Sequence, residues 1–148
     1  MAVYYKLSDG TNSLYFIPSG LTPTSTRDIW EQNLPFVFDK WLLDQVTTSK
    51  EFAQQFTIKT GTGYPYATFV AAIAAMDAVI SATRTSGFSL QGGDWNGSTW
   101  TVNGSYPAYG TGDSKLMVST MSYTLAPGEN FTNGVITGTI NLKAGLIF

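Results

Sequence analysis

Hydrophobic and polar residues alternate in several short segments of the chain, as they do in half-buried β-strands. Val3, Tyr5 and Leu7 alternate with more polar neighbours, residues 8–13 favour a turn, and the run at 14–17 resumes an extended pattern. Two extended segments joined by such a turn predict a β-hairpin at the start of the chain.

The same period of two returns in the middle and near the end of the chain. Alternating apolar residues over 52–58 predict another strand, and residues 116–125 predict a long strand that ends in a turn at 127–130. The last strand is predicted over 136–143, with one apolar side formed by Ile136, Ile140 and Leu142. Its other side is polar, which is typical of an amphipathic strand at a sheet edge.

The segment from Tyr66 to Arg84 predicts one long helix, in which Asp77 is the only internal charge. One apolar stripe is formed by Phe69, Ile73, Met76 and Ile80. The reverse side is also apolar and carries Ala71, Ala74, Ala75, Ala78 and Ala82. These alanines predict a second packing surface, which another copy of the protein can cover. Alternatively, alanine is present only because it is a strong helix former.

Residues 18–50 have a mixed pattern. The residues at 18–26 favour a loop because they are rich in Pro, Ser and Thr. Asp28–Asn33 predict a short helical turn, and Phe36–Leu43 predict a strand.

Six glycines and four aromatic residues are concentrated in residues 92–113. We predict a hairpin there, with 99–102 as its best strand, followed by a mobile loop. Trp95, Tyr106 and Tyr109 are candidates for glycan contact, since aromatic rings can stack on sugar rings. In the competing interpretation the rings anchor the hairpin to the core or contact a neighbouring subunit, and the alternation favours the core for Trp100.

The order of elements is strands, one helix, then more strands. This order predicts a single domain over 1–148 of the α+β class, mainly β. Its architecture would be an antiparallel β-sandwich or partly closed barrel with one long flanking helix.

Composition narrows the range of functions. Charged residues make up 12% of the chain, about half the usual share, and the net charge is −2 without a basic cluster. We therefore expect no sequence-specific nucleic-acid binding. The chain has no Cys and no His, which removes disulfides, thiolate chemistry and the usual zinc sites. We expect no cofactor, no metal and no enzyme activity.

The sequence also gives no sign of a membrane or secretory segment. The first residues lack a cationic region followed by an apolar run, so synthesis in the cytoplasm is expected. The predicted helix is mostly alanine with Asp77 near its centre, which disfavours insertion into a bilayer.

Carboxylates are the remaining candidates for acid and base chemistry. Asp39 with Asp44, or Asp94 with Asp113, would supply the two carboxyl groups of a glycosidase, but nothing in the sequence brings either pair together. The glycines at 61–65 precede the helix without the Lys of a phosphate-binding loop, which favours a tight strand-to-helix connection.

The layout resembles that of small bacteriophage tail structural proteins, the tail-tube and distal-tail group. The resemblance lies in the opening hairpin around KLSDGTNSLYF, the strand EFAQQFTIKTG leading into a helix, and the closing pair SKLMVSTMSYTLAPGENFTNGVITGTINLKAG. It implies a non-enzymatic subunit that assembles into rings, commonly hexameric, which stack around a channel through which DNA passes. It also implies a virion location and contacts with other tail proteins.

Within this resemblance, the region near 18–50 corresponds to an extended loop that reaches neighbouring rings. Its aromatic residues suit burial against a partner, so Trp30, Phe36 and Trp41 join the alanine face as candidate interface residues. The alternative function is a carbohydrate-binding module or viral adhesin that uses the hairpin at 92–113, and a small carboxylate hydrolase is a third.

Overall fold

The computed structural model describes residues 2–33, 40–82, 87–112 and 115–145, with side chains described outside 26–49. The elements in chain order are β1 (Ala2–Ser8), β2 (Ser13–Asn33), β3 (Lys40–Lys59), α1 (Phe69–Ile80), β4 (Ser89–Trp95), β5 (Trp100–Val102), β6 (Lys115–Pro127) and β7 (Gly134–Gly145). The predicted hairpin at the start is confirmed as β1 and β2, and the predicted strands at 52–58, 116–125 and 136–143 lie in β3, β6 and β7.

All seven strands belong to one antiparallel sheet in the order β5-β4-β1-β2-β3-β7-β6. The prediction of a mainly-β fold with antiparallel strands and one helix is confirmed. The sheet is not closed into a barrel. β4 and β6 are not neighbours in this order, but Phe88 and Leu116 exchange backbone hydrogen bonds of 2.8 and 2.9 Å, which link the start of β4 to the start of β6.

The core lies on one face of the sheet, which we call the inner face. Alternate residues of the strands point to it, as the period of two requires. Its fully buried side chains include Leu7, Leu14, Phe16, Phe56, Ile58, Ile136, Ile140 and Leu142. The predicted facing of the last strand is therefore confirmed. Its predicted position is wrong, because β7 lies between β3 and β6 and the edge strand is β6.

The helix α1 covers the inner face and contacts β2 and β6. It begins after Thr68, whose side chain accepts a hydrogen bond from the backbone N–H of Ala71, and it ends at Ile80. It is thus shorter than predicted at both ends, because residues 61–66 form the connection from β3 and Ser81 is the C-cap. Among the residues described, no helix is long and apolar enough to span a bilayer.

The buried side of α1 is rotated from the predicted stripe. Phe69 and Met76 are buried as expected, but Ala72 and Val79 are buried with them. Ile80, predicted in the stripe, lies at the end of the helix and is 43% exposed. Ala72 is fully buried.

Residues 18–26 and 28–33 are strand, so the predicted loop and helical turn are wrong. Both segments pair with β3 over a register that runs from Ile17 opposite Thr57 to Asn33 opposite Lys40. Pro18 and Pro23 are compatible with this strand because β2 pairs with β1 only over Ser13–Phe16. Beyond that point one side of β2 is an edge, where the missing N–H of proline is tolerated.

Tyr66 fastens the connection before α1 to the sheet. Its phenol oxygen accepts a hydrogen bond of 3.1 Å from the backbone N–H of Tyr15. Burial raises the pKa of Tyr66 to about 12, although the bond from Tyr15 acts in the opposite direction. In the unfolded chain a tyrosine has a pKa of about 10.

The pKa of Tyr66 predicts a loss of stability at alkaline pH. Between about pH 10 and pH 12 the folded chain binds more protons at this site than the unfolded chain, so the stability present below pH 10 is lost as the pH rises. The loss at this site reaches at most about 2 to 3 kcal/mol. Urea unfolding at pH 8 and pH 11 should show a smaller alkaline loss in Tyr66→Phe than in the parent protein. Equal losses in the two proteins would contradict a raised pKa of Tyr66 as the cause.

Candidate assembly surfaces

The far parts of β2 and β3 form a two-stranded arm, residues 26–33 and 40–49. The strand β7 pairs with β3 only from Lys50 to Lys59, so within the described residues the two sides of the arm pair only with each other. Ten residues of extended chain span roughly 33 Å. Because an isolated two-stranded ribbon is marginally stable in water, an arm of this kind is expected to be covered by a partner.

Two of the three aromatic residues predicted at an interface lie in the arm. Trp30 is opposite Leu43 and Trp41 is opposite Gln32 in the strand register. Phe36 lies outside the described residues. The structure therefore places Trp30 and Trp41 at neighbouring positions of the arm, beyond the part of β3 that pairs with β7.

The side of α1 away from the sheet is apolar and exposed. We call it the outer helix face, and it consists of Val70, Ala71, Ala74 and Ala78, with Asp77 as its one charge. Val70 is 77% exposed, and near the start of the helix Phe131 is 72% exposed and meets Phe69 edge to face. Single exposed apolar residues are ordinary, but a contiguous apolar surface indicates a contact site.

Two of the five predicted alanines do not belong to this face. Ala75 and Ala82 are half-buried and pack against the core. The rotation of α1 turns Ala75 toward the sheet, and Ala82 lies beyond the end of the helix, while Ala71, Ala74 and Ala78 remain exposed.

The three aromatic residues predicted at a glycan site are not brought together. Trp95 packs on Tyr4 on the outer face of β4, and its indole N–H donates a 2.8 Å hydrogen bond to the backbone oxygen of Gly63. Tyr106 lies on the opposite face, where it packs against Gly92 and donates a 2.9 Å hydrogen bond to Asp94. That bond raises the pKa of Tyr106.

Tyr109, the third of these residues, packs on Phe52 with ring centroids 4.7 Å apart. Its backbone also exchanges hydrogen bonds of 2.8 and 2.9 Å with Leu90. The hairpin predicted in this region is confirmed as β4 and β5. These contacts anchor its aromatic residues to the domain, which favours the structural interpretation over a sugar platform.

Gly92 and Gly93 are buried in β4, the first strand of the predicted hairpin. A Cβ atom on Gly92 would meet Tyr5 and Tyr106 on the inner side, and one on Gly93 would meet Trp100 on the outer side. The absent side chains therefore let aromatic rings pack on both faces of β4.

A second aromatic cluster on the outer face was not predicted. Tyr15 and Trp100 meet edge to face at 5.9 Å, and the ammonium group of Lys6 lies 5.7 and 5.5 Å from their ring centroids. The indole N–H of Trp100 donates to the backbone oxygen of Tyr4. Trp100 is thus half-buried on the outer face, and the prediction that it enters the core is wrong.

A groove of about 400 Å³ opens where β2 separates from β1, at the base of the arm. Its lining residues are Tyr5, Pro18, Gly20, Leu21, Pro23, Gln54, Pro107 and Tyr109. The side-chain amide of Gln54 donates to the backbone oxygens of Gly20 and Gln55, at 2.8 and 2.7 Å. Since its lining residues carry no charge, the groove has the character of a packing surface for uncharged groups.

Asp94 and Asp9 accept hydrogen bonds from neighbouring parts of the chain. Asp94 accepts hydrogen bonds from Asn103 and Tyr106. Burial opposes ionisation of Asp9, but hydrogen bonds from the backbone of Asn12 and Thr11 outweigh it and lower the pKa of Asp9. Asp39 and Asp113 lie outside the described residues, so neither predicted carboxylate pair is seen.

Within residues 2–33, 40–82, 87–112 and 115–145, no group of three or more potential metal ligands occurs. The glycines at 61–65 form the predicted connection between β3 and α1, and Gly63 contributes its backbone oxygen to Trp95.

No protein-family model matches this chain, and no curated protein matches it. The arm, the outer helix face and the sheet edges are therefore the features of the molecule that bear on its function.

Proposed function

We propose that this chain is a non-enzymatic structural subunit that assembles with copies of itself into a ring or tube of a phage-like tail. The observation that carries the proposal is the arm. The arm extends beyond the other strands and carries Trp30 and Trp41, so it is suited to lie on a neighbouring subunit. The outer helix face supplies a second apolar surface.

The low charge of the chain supports the same interpretation. Only 12% of the residues are charged, so much of the surface can be covered by protein without burying unpaired charges. In the proposed assembly, neighbouring copies supply the second layer of a sandwich or the strands that close a barrel. The subunit would be part of a virion, would contact other tail proteins and would surround a channel for DNA.

The proposal is tested by removing the arm. Thr26 and Ser49 are opposite each other in the register, so residues 27–48 can be replaced by Asn-Gly, a two-residue hairpin turn. The parent protein should form rings or tubes in negative-stain images and elute at high mass, while the shortened protein should elute as a folded monomer. Circular dichroism and urea unfolding check that the shortened domain is intact.

Two results would contradict the proposal. One is assembly of the shortened protein to the same size as the parent at the same concentration. The other is a parent protein that remains monomeric and is retained on an immobilised-glycan column, which would support the carbohydrate-binding alternative instead.

A further inference from the structure

The two edges of the sheet are very different. At one edge, β5 has 3 residues, and at the other β6 has 13. In the described part of the chain, the open side of β6 forms a bridge only at Leu116, to Phe88. The rest of β6 offers unpaired backbone donors and acceptors, which can pair with a further strand.

Proteins usually protect such an edge with charges, prolines or bulges. In β6 the one charged residue, Lys115, and the one proline, Pro127, are at its two ends, and the bulge lies between Val118 and Thr120. The segment from Thr120 to Ala126 has no charged residue, no proline and no bulge. It is an uncharged seven-residue stretch on a regular edge.

The orientation of the backbone in this segment follows from its pairing with β7. Tyr123 is opposite Gly138, and the backbone oxygen of Ser122 points toward that glycine. In an antiparallel pair, neighbouring residues direct their N–H and C=O groups to opposite sides. Met121, Tyr123 and Leu125 therefore direct theirs to the open side of the sheet.

The same segment is complementary to itself. In an antiparallel pair with a two-fold axis at Tyr123, Met121 faces Leu125 of the other copy and Ser122 faces Thr124. Met121 and Leu125 are register partners of the buried residues Ile140 and Ile136, so both belong to the inner face. The apolar inner face and the hydroxyl-bearing outer face would both continue across the junction.

We propose that two copies of this chain join edge to edge through Thr120–Ala126 of β6, antiparallel and centred on Tyr123. β5, the edge strand at the opposite end of the strand order, is too short to pair with this segment. Because the segment is complementary to itself, the contact is isologous, with the same strand on both copies. It brings together two Tyr123 side chains, each 39% exposed in the single subunit. This inference rests on the proposed self-assembly but does not depend on the arm.

The first test uses the absence of cysteine from the chain. Residues that face each other in an antiparallel pair have Cα atoms about 5.5 Å apart or closer, within the range that a disulfide spans. Under mild oxidation, Tyr123→Cys should give a disulfide-linked dimer as its main species. Ala126→Cys, on the same exposed edge, is the matched control. Its two copies would lie about 20 Å apart in the proposed register and should remain unlinked.

A second variant tests the hydrogen bonds. Tyr123→Pro removes an N–H that points to the open side and leaves the bonds to β7 in place. It should raise the dissociation constant of the dimer about tenfold, since two edge bonds are lost per dimer. Urea unfolding should show that the monomer keeps its stability.

The outcomes separate this contact from the proposed function. If Tyr123→Cys links no better than Ala126→Cys, or if Tyr123→Pro associates as tightly as the parent, the edge contact is wrong even where rings are seen. If the linked dimer forms but no protein assembles further, the edge contact stands and the proposed function fails.

Discussion

Replacing Ile140 by alanine is expected to lower the free energy of unfolding by roughly 2 to 5 kcal/mol. Ile140 is fully buried on β7, between Gln54 of β3 and Met121 of β6. The truncation removes buried apolar surface between β3 and β6 and leaves a cavity that the paired strands cannot close. Urea unfolding monitored by circular dichroism measures the loss.

The matched control is Thr139→Ala, one residue away on the same strand. Thr139 is half-buried and points to the other face of the sheet. Its truncation should reduce stability by about 1 kcal/mol or less. Equal losses at the two positions would show that β7 faces the opposite way.

A glutamate at Ala78 is expected to abolish assembly while leaving the monomer folded. Ala78 lies on the outer helix face and is exposed in the single subunit, and glutamate is a good helix former. In an interface the new carboxylate would be buried without a partner, which is strongly unfavourable. The dissociation constant should rise by more than about a hundredfold, measured by light scattering across a dilution series.

Ala108→Glu is the control for this charge. Ala108 is exposed in the loop after β5, away from the outer helix face, so the same substitution there should leave assembly unchanged. If the Ala78→Glu protein forms the same oligomer at the same concentration, α1 is not part of the interface.

Several strands could be read from the sequence because their signal is local. Burial on one face of a sheet imposes a period of two, and Ile136, Ile140 and Leu142 follow it with a gap only at Gly138. The opening hairpin is equally local, since its turn at 8–13 separates two short strands. The existence of the helix followed from the apolar residues after Thr68, and its boundaries were less accurate because connections and helices share residue types.

The candidate sites were predicted only in part. Ala71, Ala74 and Ala78 are exposed as expected, but α1 also buries Ala72 and Val79, which the predicted stripe did not include. Trp95 and Tyr106 are near in sequence yet lie on opposite faces of β4. The pairing of that strand with β1 decides this separation.

The sequence by itself determined which segments alternate, roughly where the helix lies and that no Cys or His is available, because these depend on neighbouring residues or on composition alone. The tertiary structure decided that residues 18–33 are strand, because β3 pairs with them and β2 has an open side where Pro18 and Pro23 are tolerated. It also decided that β6 is the open edge, since strand order depends on pairings between distant residues that no local pattern encodes.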